Sequence, residues 1–192
     1  MIALHRPECP NPAALKKNTY DDPANKEALI KASHGKCMYC ESKMGHVSFP
    51  QIEHIKPKAK YPELEFVWEN LGICCQYCNT NKGQKYDEDL PFINPYNENP
   101  QEHIKFIGFL IFAKQSSRRG EYTIKEIGLD RPDLRDRRKD RIKSIETLIN
   151  GVFRTSSDSL RKQAIEDLIS EAEADKEYSA AVKSVLIARG II

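Results

Sequence analysis

Asn70-Leu71-Gly72-Ile73-Cys74-Cys75-Gln76-Tyr77-Cys78-Asn79-Thr80-Asn81-Lys82 is the stretch on which the fold turns. It holds one Cys-x-x-Cys pair, Cys75 and Cys78, and a matching pair stands upstream in Gly35-Lys36-Cys37-Met38-Tyr39-Cys40. A two-residue spacer lets the chain turn so that both thiolates reach one ion at about 2.3 Å, and Gly35 eases the first turn. Cys37, Cys40, Cys75 and Cys78 together complete a tetrahedral sulfur site for zinc. The competing reading is two unrelated pairs of buried thiols. Cys74 and Cys78 also stand at helical spacing, but the two-residue spacer favours Cys75, and Cys74 and Cys9 then read as packed or free thiols. A structural zinc would hold a strand and a helix together in a fragment too small for a sufficient core of its own.

Outward from this stretch the signals are shorter. Residues 51–55 and 65–68 read as strands, and Gln76–Lys85 as a short helix. Upstream, Asp22-Pro23 opens a helix with Ala28, Leu29 and Ala32 on one face and Gly35 at its end, preceded by an extended arm. Downstream, the Pro- and Asn-rich run Leu90–Pro100 is a loop leaving the finger. Ile104–Ala113 and Tyr122–Ile127, separated by Lys114–Glu121, suggest a hairpin. Asp130-Arg-Pro-Asp then opens a helix with Ile142, Ile145, Leu148, Ile149 and Val152 at three-and-four spacing, and Asn150-Gly151 is a candidate break. A second stripe runs from Leu160 to Ala172, and Ala180–Ile187 adds a third apolar segment. The class is α+β: an arm and helix over 1–36, a small zinc-stabilised finger over 37–90, a loop and β-hairpin over 91–130, and a helical extension over 131–192.

At 192 residues, 40% hydrophobic and 30% charged, the chain suits one soluble unit with appendages. No apolar run approaches the ~18 residues of a membrane span, and nothing marks secretion, so a cytoplasmic location is expected. In a reducing compartment its six cysteines are better metal ligands than disulfides. The net charge of +2 hides basic stretches at 31–60 and 114–143 and an acidic one at 158–178. A basic front and an acidic back suit a protein that meets phosphate on one side.

Between the cysteine pairs lies Gln51-Ile52-Glu53-His54-Ile55-Lys56-Pro57. Adjacent strand residues face opposite ways, so either Glu53 or His54 must occupy an inward position. Histidine is poised near neutral pH to accept a proton from water, while Glu53 and Asn79 offer the hard oxygens that magnesium or manganese prefers. Lys56, Lys58, Lys60, Lys82 and Lys85 are candidates for flanking phosphates, each with ordinary solvated lysine as the alternative.

Cys-x-x-Cys, an acid-His pair, Asn70-Leu71, then Cys-x-x-Cys followed by Asn79 and Lys82 resembles the HNH nuclease family in its zinc-clamped ββα-metal form. The resemblance implies a metal-dependent endonuclease acting on nucleic acid, with DNA placed ahead of RNA as the substrate. It implies His54 as general base, Glu53 and Asn79 as ligands of a catalytic Mg²⁺ or Mn²⁺, and Asn70 as the brace of the loop between the strands. Two positions depart from the commoner form, which has Asp where this chain has Glu53 and His where it has Asn79. Arg6-Pro7, Pro12-x-x-Leu15, Cys37-x-Tyr39-Cys40-Glu41, Trp68-x-Asn70-Leu71 and the Pro91–Pro95 loop extend the likeness. They resemble the HNH effectors of Septu-type and retron-associated anti-phage systems, the PtuB-like family. That implies a defence role beside an ABC-type ATPase, PtuA-like. The apolar stripes of 131–192 give more hydrophobic helix surface than so small a body can cover, which makes that region the expected docking module, the alternative being that the stripes pack on each other within the monomer. Competing readings are a stand-alone HNH nuclease of restriction or mobile-element type and a silent zinc-ribbon module. The intact Glu53, His54 and Asn79 speak against the silent module. The acidic, apolar 158–192 region speaks for a protein partner.

Overall fold

The computed structural model describes residues 1–45 and 49–192. Its centre is an antiparallel pair, β1 (Gln51–His54) and β2 (Leu71–Cys74), with Glu53 opposite Gly72 and His54 opposite Leu71. Strand alternation buries Glu53 and leaves His54 half-exposed. The second strand therefore lies beyond the residues 65–68 expected from sequence. Turns over Pro62–Leu64 and Trp68–Asn70 occupy that stretch instead, where Trp68 is buried as an anchor and its indole N–H donates to the Pro7 carbonyl at 2.9 Å. Gly72 sits close against the first cysteine turn, where a Cβ would lie 2.5 Å from the Met38 sulfur and would have to displace that side chain.

Helix α3 (Gln76–Lys82) follows β2 directly and completes a ββα finger. The arm contains a short helix, α1 (Pro12–Lys16), and leads to α2 (Pro23–Ala32), whose Asp22 cap accepts from the Ala24 and Asn25 amides at 3.1 Å. Arg6 pins the arm to the finger by donating to the Trp68 and Leu71 carbonyls at 2.9 and 2.8 Å. Leu15 and Leu29 close a small apolar cluster on Trp68, Leu71 and Ile73.

The hairpin is tighter than the sequence suggests. It consists of β3 (Ile104–Ile107) and β4 (Leu110–Ala113) alone, and Arg118–Ile127 is a helix, α4. Ser117 caps it by accepting from the Gly120 amide, Gly128 ends it in the left-handed region at φ 71°, and Gly120, Thr123 and Ile127 are its buried face. The β-branched and aromatic residues that suggested a strand are overruled by caps and three-and-four spacing.

Helix α5 (Pro132–Arg154) runs unbroken through Asn150-Gly151 and buries Leu134, Arg138, Ile142, Ile145, Ile149 and Val152. It meets α6 (Asp158–Ser170) and α7 (Ser179–Ala188). The last helix corrects the expectation of surplus apolar surface at the C-terminus: Ala181, Val182, Val185 and Leu186 are buried in the core shared with the cysteine turns. Tyr178 shares a 2.9 Å hydrogen bond with the Ser42 hydroxyl, and the Lys36 ammonium donates to the Lys176 carbonyl at 2.8 Å. Removing the buried Leu186 side chain would cost about 2–5 kcal/mol.

Candidate functional site

Four sulfurs gather where the first cysteine turn meets the β2–α3 junction. Cys37, Cys40, Cys75 and Cys78 are all buried, and their sulfurs lie within 4.8 Å of one another, Cys40 and Cys75 at 3.9 Å. A tetrahedron with bonds of about 2.3 Å has edges of roughly 3.8 Å, so the cluster has the size of a zinc site. Cys74 points elsewhere, its Sγ 3.9 Å from Glu53 Oε2.

Burial drives the Cys37 thiol up, and its hydrogen bonds raise Cys78 while lowering Cys40 and Cys75. A divalent ion that favours sulfur lets all four ionise, and in that respect the donor set fits zinc. Arg131 stands beside it, Nη1 donating to Cys78 Sγ at 3.8 Å. Burial works against the Arg131 charge, but the Cys78 and Cys40 sulfurs hold it above its ordinary value.

On the other side of α3 is an open cleft of about 300 Å³, lined by Glu53, His54, Asn79, Lys58 and Tyr20 among others. Four of the residues singled out from sequence, Glu53, His54, Asn79 and Lys58, thus line one cleft. His54 Nε2 lies 3.0 Å from the Glu65 carbonyl. A carbonyl only accepts, so Nε2 carries the proton and Nδ1 the lone pair, with no protein partner among the described residues. Burial lowers the His54 pKa, which favours the neutral base. Asn79 gives its amide N–H to Gln51 Oε1 at 2.8 Å, which leaves its carbonyl oxygen for a ligand. Asn70 closes the loop between the strands, accepting from the Lys56 amide at 2.8 Å and donating to the Lys56 and Leu64 carbonyls at 3.0 and 3.1 Å.

Glu53 is more constrained than the sequence suggested. It is 2% exposed. Its Oε1 lies 2.6 Å from the Lys82 ammonium and accepts from the Tyr39 hydroxyl at 3.2 Å. Burial raises its pKa despite Lys82. Oε2, whose contact is the Cys74 thiol, is the oxygen left for a metal.

Lys82 departs from the phosphate-binding expectation, because it is 1% exposed and is consumed by Glu53 and the His54 carbonyl, 2.8 Å away. Helical spacing from Cys78 turns it inward. Lys58 is exposed, held by Glu65 at 2.8 Å. Lys56 pairs with Glu88 at 3.2 Å over the Tyr61 and Tyr86 rings, and Lys85 pairs with Glu126 at 3.0 Å. Lys60 reaches the Tyr86 carbonyl. Sequence reasoning missed Tyr20 as a wall of the cleft, lacking any local signal, and counted Arg131 only within a basic run.

A finger of this build with this cleft is that of an HNH endonuclease, and residues 37–85 match the family model described as HNH endonuclease. The protein is a nuclease of that class. Over 97% of this chain, and 82% of the relative, it is 30% identical to a Septu protein PtuB of Bacillus thuringiensis. It is 32% identical to a Septu protein PtuB of Bacillus mycoides (strain KBAB4), over 80% of this chain and 64% of that one. The chain belongs to the Septu PtuB family. No helix among the described residues is long and apolar enough to cross a membrane.

Proposed function

We propose that this chain is the nuclease effector of an anti-phage defence complex, hydrolysing phosphodiester bonds in DNA when activated by an ABC-type ATPase partner. The observation that carries the catalytic part is His54, whose Nε2 is tied to the Glu65 carbonyl at 3.0 Å in a cleft shared with Glu53 and Asn79. Nδ1 takes the proton of the attacking water. The Glu65 carbonyl keeps Nε2 protonated and stabilises the imidazolium as it forms. Glu53 and Asn79 would hold Mg²⁺ or Mn²⁺, which would neutralise charge on the phosphate. Lys82 fixes Glu53, and Lys58 at the mouth meets a flanking phosphate.

Partner docking falls on the outer faces of α5 and α6 rather than on the whole extension. Leu148, Phe153 and Leu160 are exposed on these helices, Leu148 lining a groove with the acidic Asp167 and Glu171, whereas α7 belongs to the finger's core. Co-expression of the chain with an ABC-type ATPase from its own host, followed by a cleavage assay, tests both parts. The complex should cut DNA only with Mg²⁺ or Mn²⁺ and leave 5′-phosphate ends, and Asn79→Ala should lower the rate about 100-fold or more. Leu160→Asp with Phe153→Asp should abolish co-purification and keep the zinc. Metal-independent cleavage contradicts the catalytic reading. Undiminished assembly of the double variant contradicts the docking face.

A further inference from the structure

The arm ahead of α2 lies outside the matched residues 37–85, yet it reaches the cleft. The Tyr20 and His54 rings meet edge to face, centroids 4.8 Å apart and planes at 78°. Lys58 Nζ lies 3.2 Å from the Tyr20 hydroxyl and 4.5 Å from its ring centroid, and 2.8 Å from Glu65 Oε1. Glu65 in turn holds His54 through its carbonyl. The four residues close a circuit: His54 to Tyr20, Tyr20 to Lys58, Lys58 to Glu65, and Glu65 back to His54.

That circuit supplies something the hydrogen bond alone does not. One bond at Nε2 fixes one point of the imidazole, and a terminal sp³–sp² torsion is broad, so the ring stays free to swing about that point. Swinging moves Nδ1 across the cleft. A second contact against the ring is needed, and among the described residues no carboxylate stands behind His54 to provide it. The Tyr20 ring does, and Phe66 backs it at 6.2 Å.

We infer that Tyr20 is a positioning residue of the nuclease, its ring setting the orientation of His54 and its hydroxyl holding Lys58 for a phosphate of the substrate strand. This rests on His54 being the base. The roles divide, the ring acting on turnover and the hydroxyl on substrate binding.

The test compares the full-length parent, Tyr20→Leu, Tyr20→Phe and His54→Ala under the conditions that activate the parent. It measures kcat, KM, zinc content and the His54 ring nitrogen signals by NMR. Tyr20→Leu should lose about 10- to 100-fold in kcat and, lacking the hydroxyl as well, raise KM as far as Tyr20→Phe does, and its His54 ring signals should broaden as the ring swings. Tyr20→Phe should restore kcat and the His54 signals and raise KM. Parent-like kcat and His54 signals in Tyr20→Leu, with His54→Ala inactive, overturn the role of Tyr20 alone. An active His54→Ala overturns the reading of the cleft beneath it. Should Tyr20→Leu fold poorly, the parent still decides, because nuclear Overhauser contacts between the two rings are required and their absence overturns the proposal.

Discussion

Cys78 and Asn79 are neighbours on α3, yet Cys78 joins a closed sulfur cluster and Asn79 lines an open cleft. The cluster is buried, built of soft donors, and met by the positive charge of Arg131 at the N-terminal cap of α5. The cleft is polar, built of oxygen and nitrogen donors, and reaches solvent. The contrast teaches a division of labour. Sulfur ligation ties the first cysteine turn to the β2–α3 junction inside the shared core, so its loss should cost folding. The cleft rests on that frame, so its loss should cost chemistry alone.

The largest effect that sharpens the contrast is metal removal. Cys37→Ser or Cys78→Ser, or a strong chelator, should abolish zinc binding and melt the finger, since structural zinc binding in comparable sites is worth about 10–16 kcal/mol. Cys9→Ser should keep both. Metal analysis with circular dichroism checks this, and a folded zinc-free variant would break the contrast.

Lys82→Met tests whether the cleft has a structural foundation of its own. It strands a buried Glu53 carboxylate and should cost about 3–5 kcal/mol in urea unfolding while zinc stays bound. A cost below about 1 kcal/mol would mean that Glu53 simply takes up a proton.

Arg131→Gln probes the cluster's charge balance. Zinc affinity should fall about 10- to 100-fold, read by competition with a chromogenic chelator, with cleavage at saturating zinc unchanged.

The smallest effect lies outside both regions. Although burial opposes it, Arg119 at 2.6 Å holds the Glu98 carboxyl below its usual range. A depressed carboxylate stabilises the fold above its unfolded pKa and loses that contribution as pH falls through its lower folded value. Glu98→Gln should therefore destabilise by about 1–3 kcal/mol at pH 7, and the difference from the parent should begin to shrink near about pH 4 and vanish only below the lowered folded value. A pH-independent difference would assign the effect to packing.

The sulfur cluster was legible because ligand spacing is a local property of the chain, and the same holds for the α2 cap at Asp22. The α4 helix was not, since Tyr122, Ile124 and Ile127 carry strand propensity and only the caps at Ser117 and Gly128 reverse it. β2 was displaced because Phe66, Val67 and Trp68 looked extended, whereas Trp68 is buried in a turn by the arm. Lys82 and Tyr20 escaped for one reason. Each acquires its role from a partner distant in sequence, Glu53 in one case and His54 in the other. The packing of α7 against the first cysteine turn is likewise a long-range fact that its apolar sequence could not assign to a target.

Cleavage rate and zinc content measured on one preparation of His54→Ala test the division of labour most directly. The account predicts a full complement of zinc and parent-like unfolding, with metal-dependent cleavage reduced about 100-fold or more. Parent-like cleavage, or loss of zinc together with activity, would contradict it.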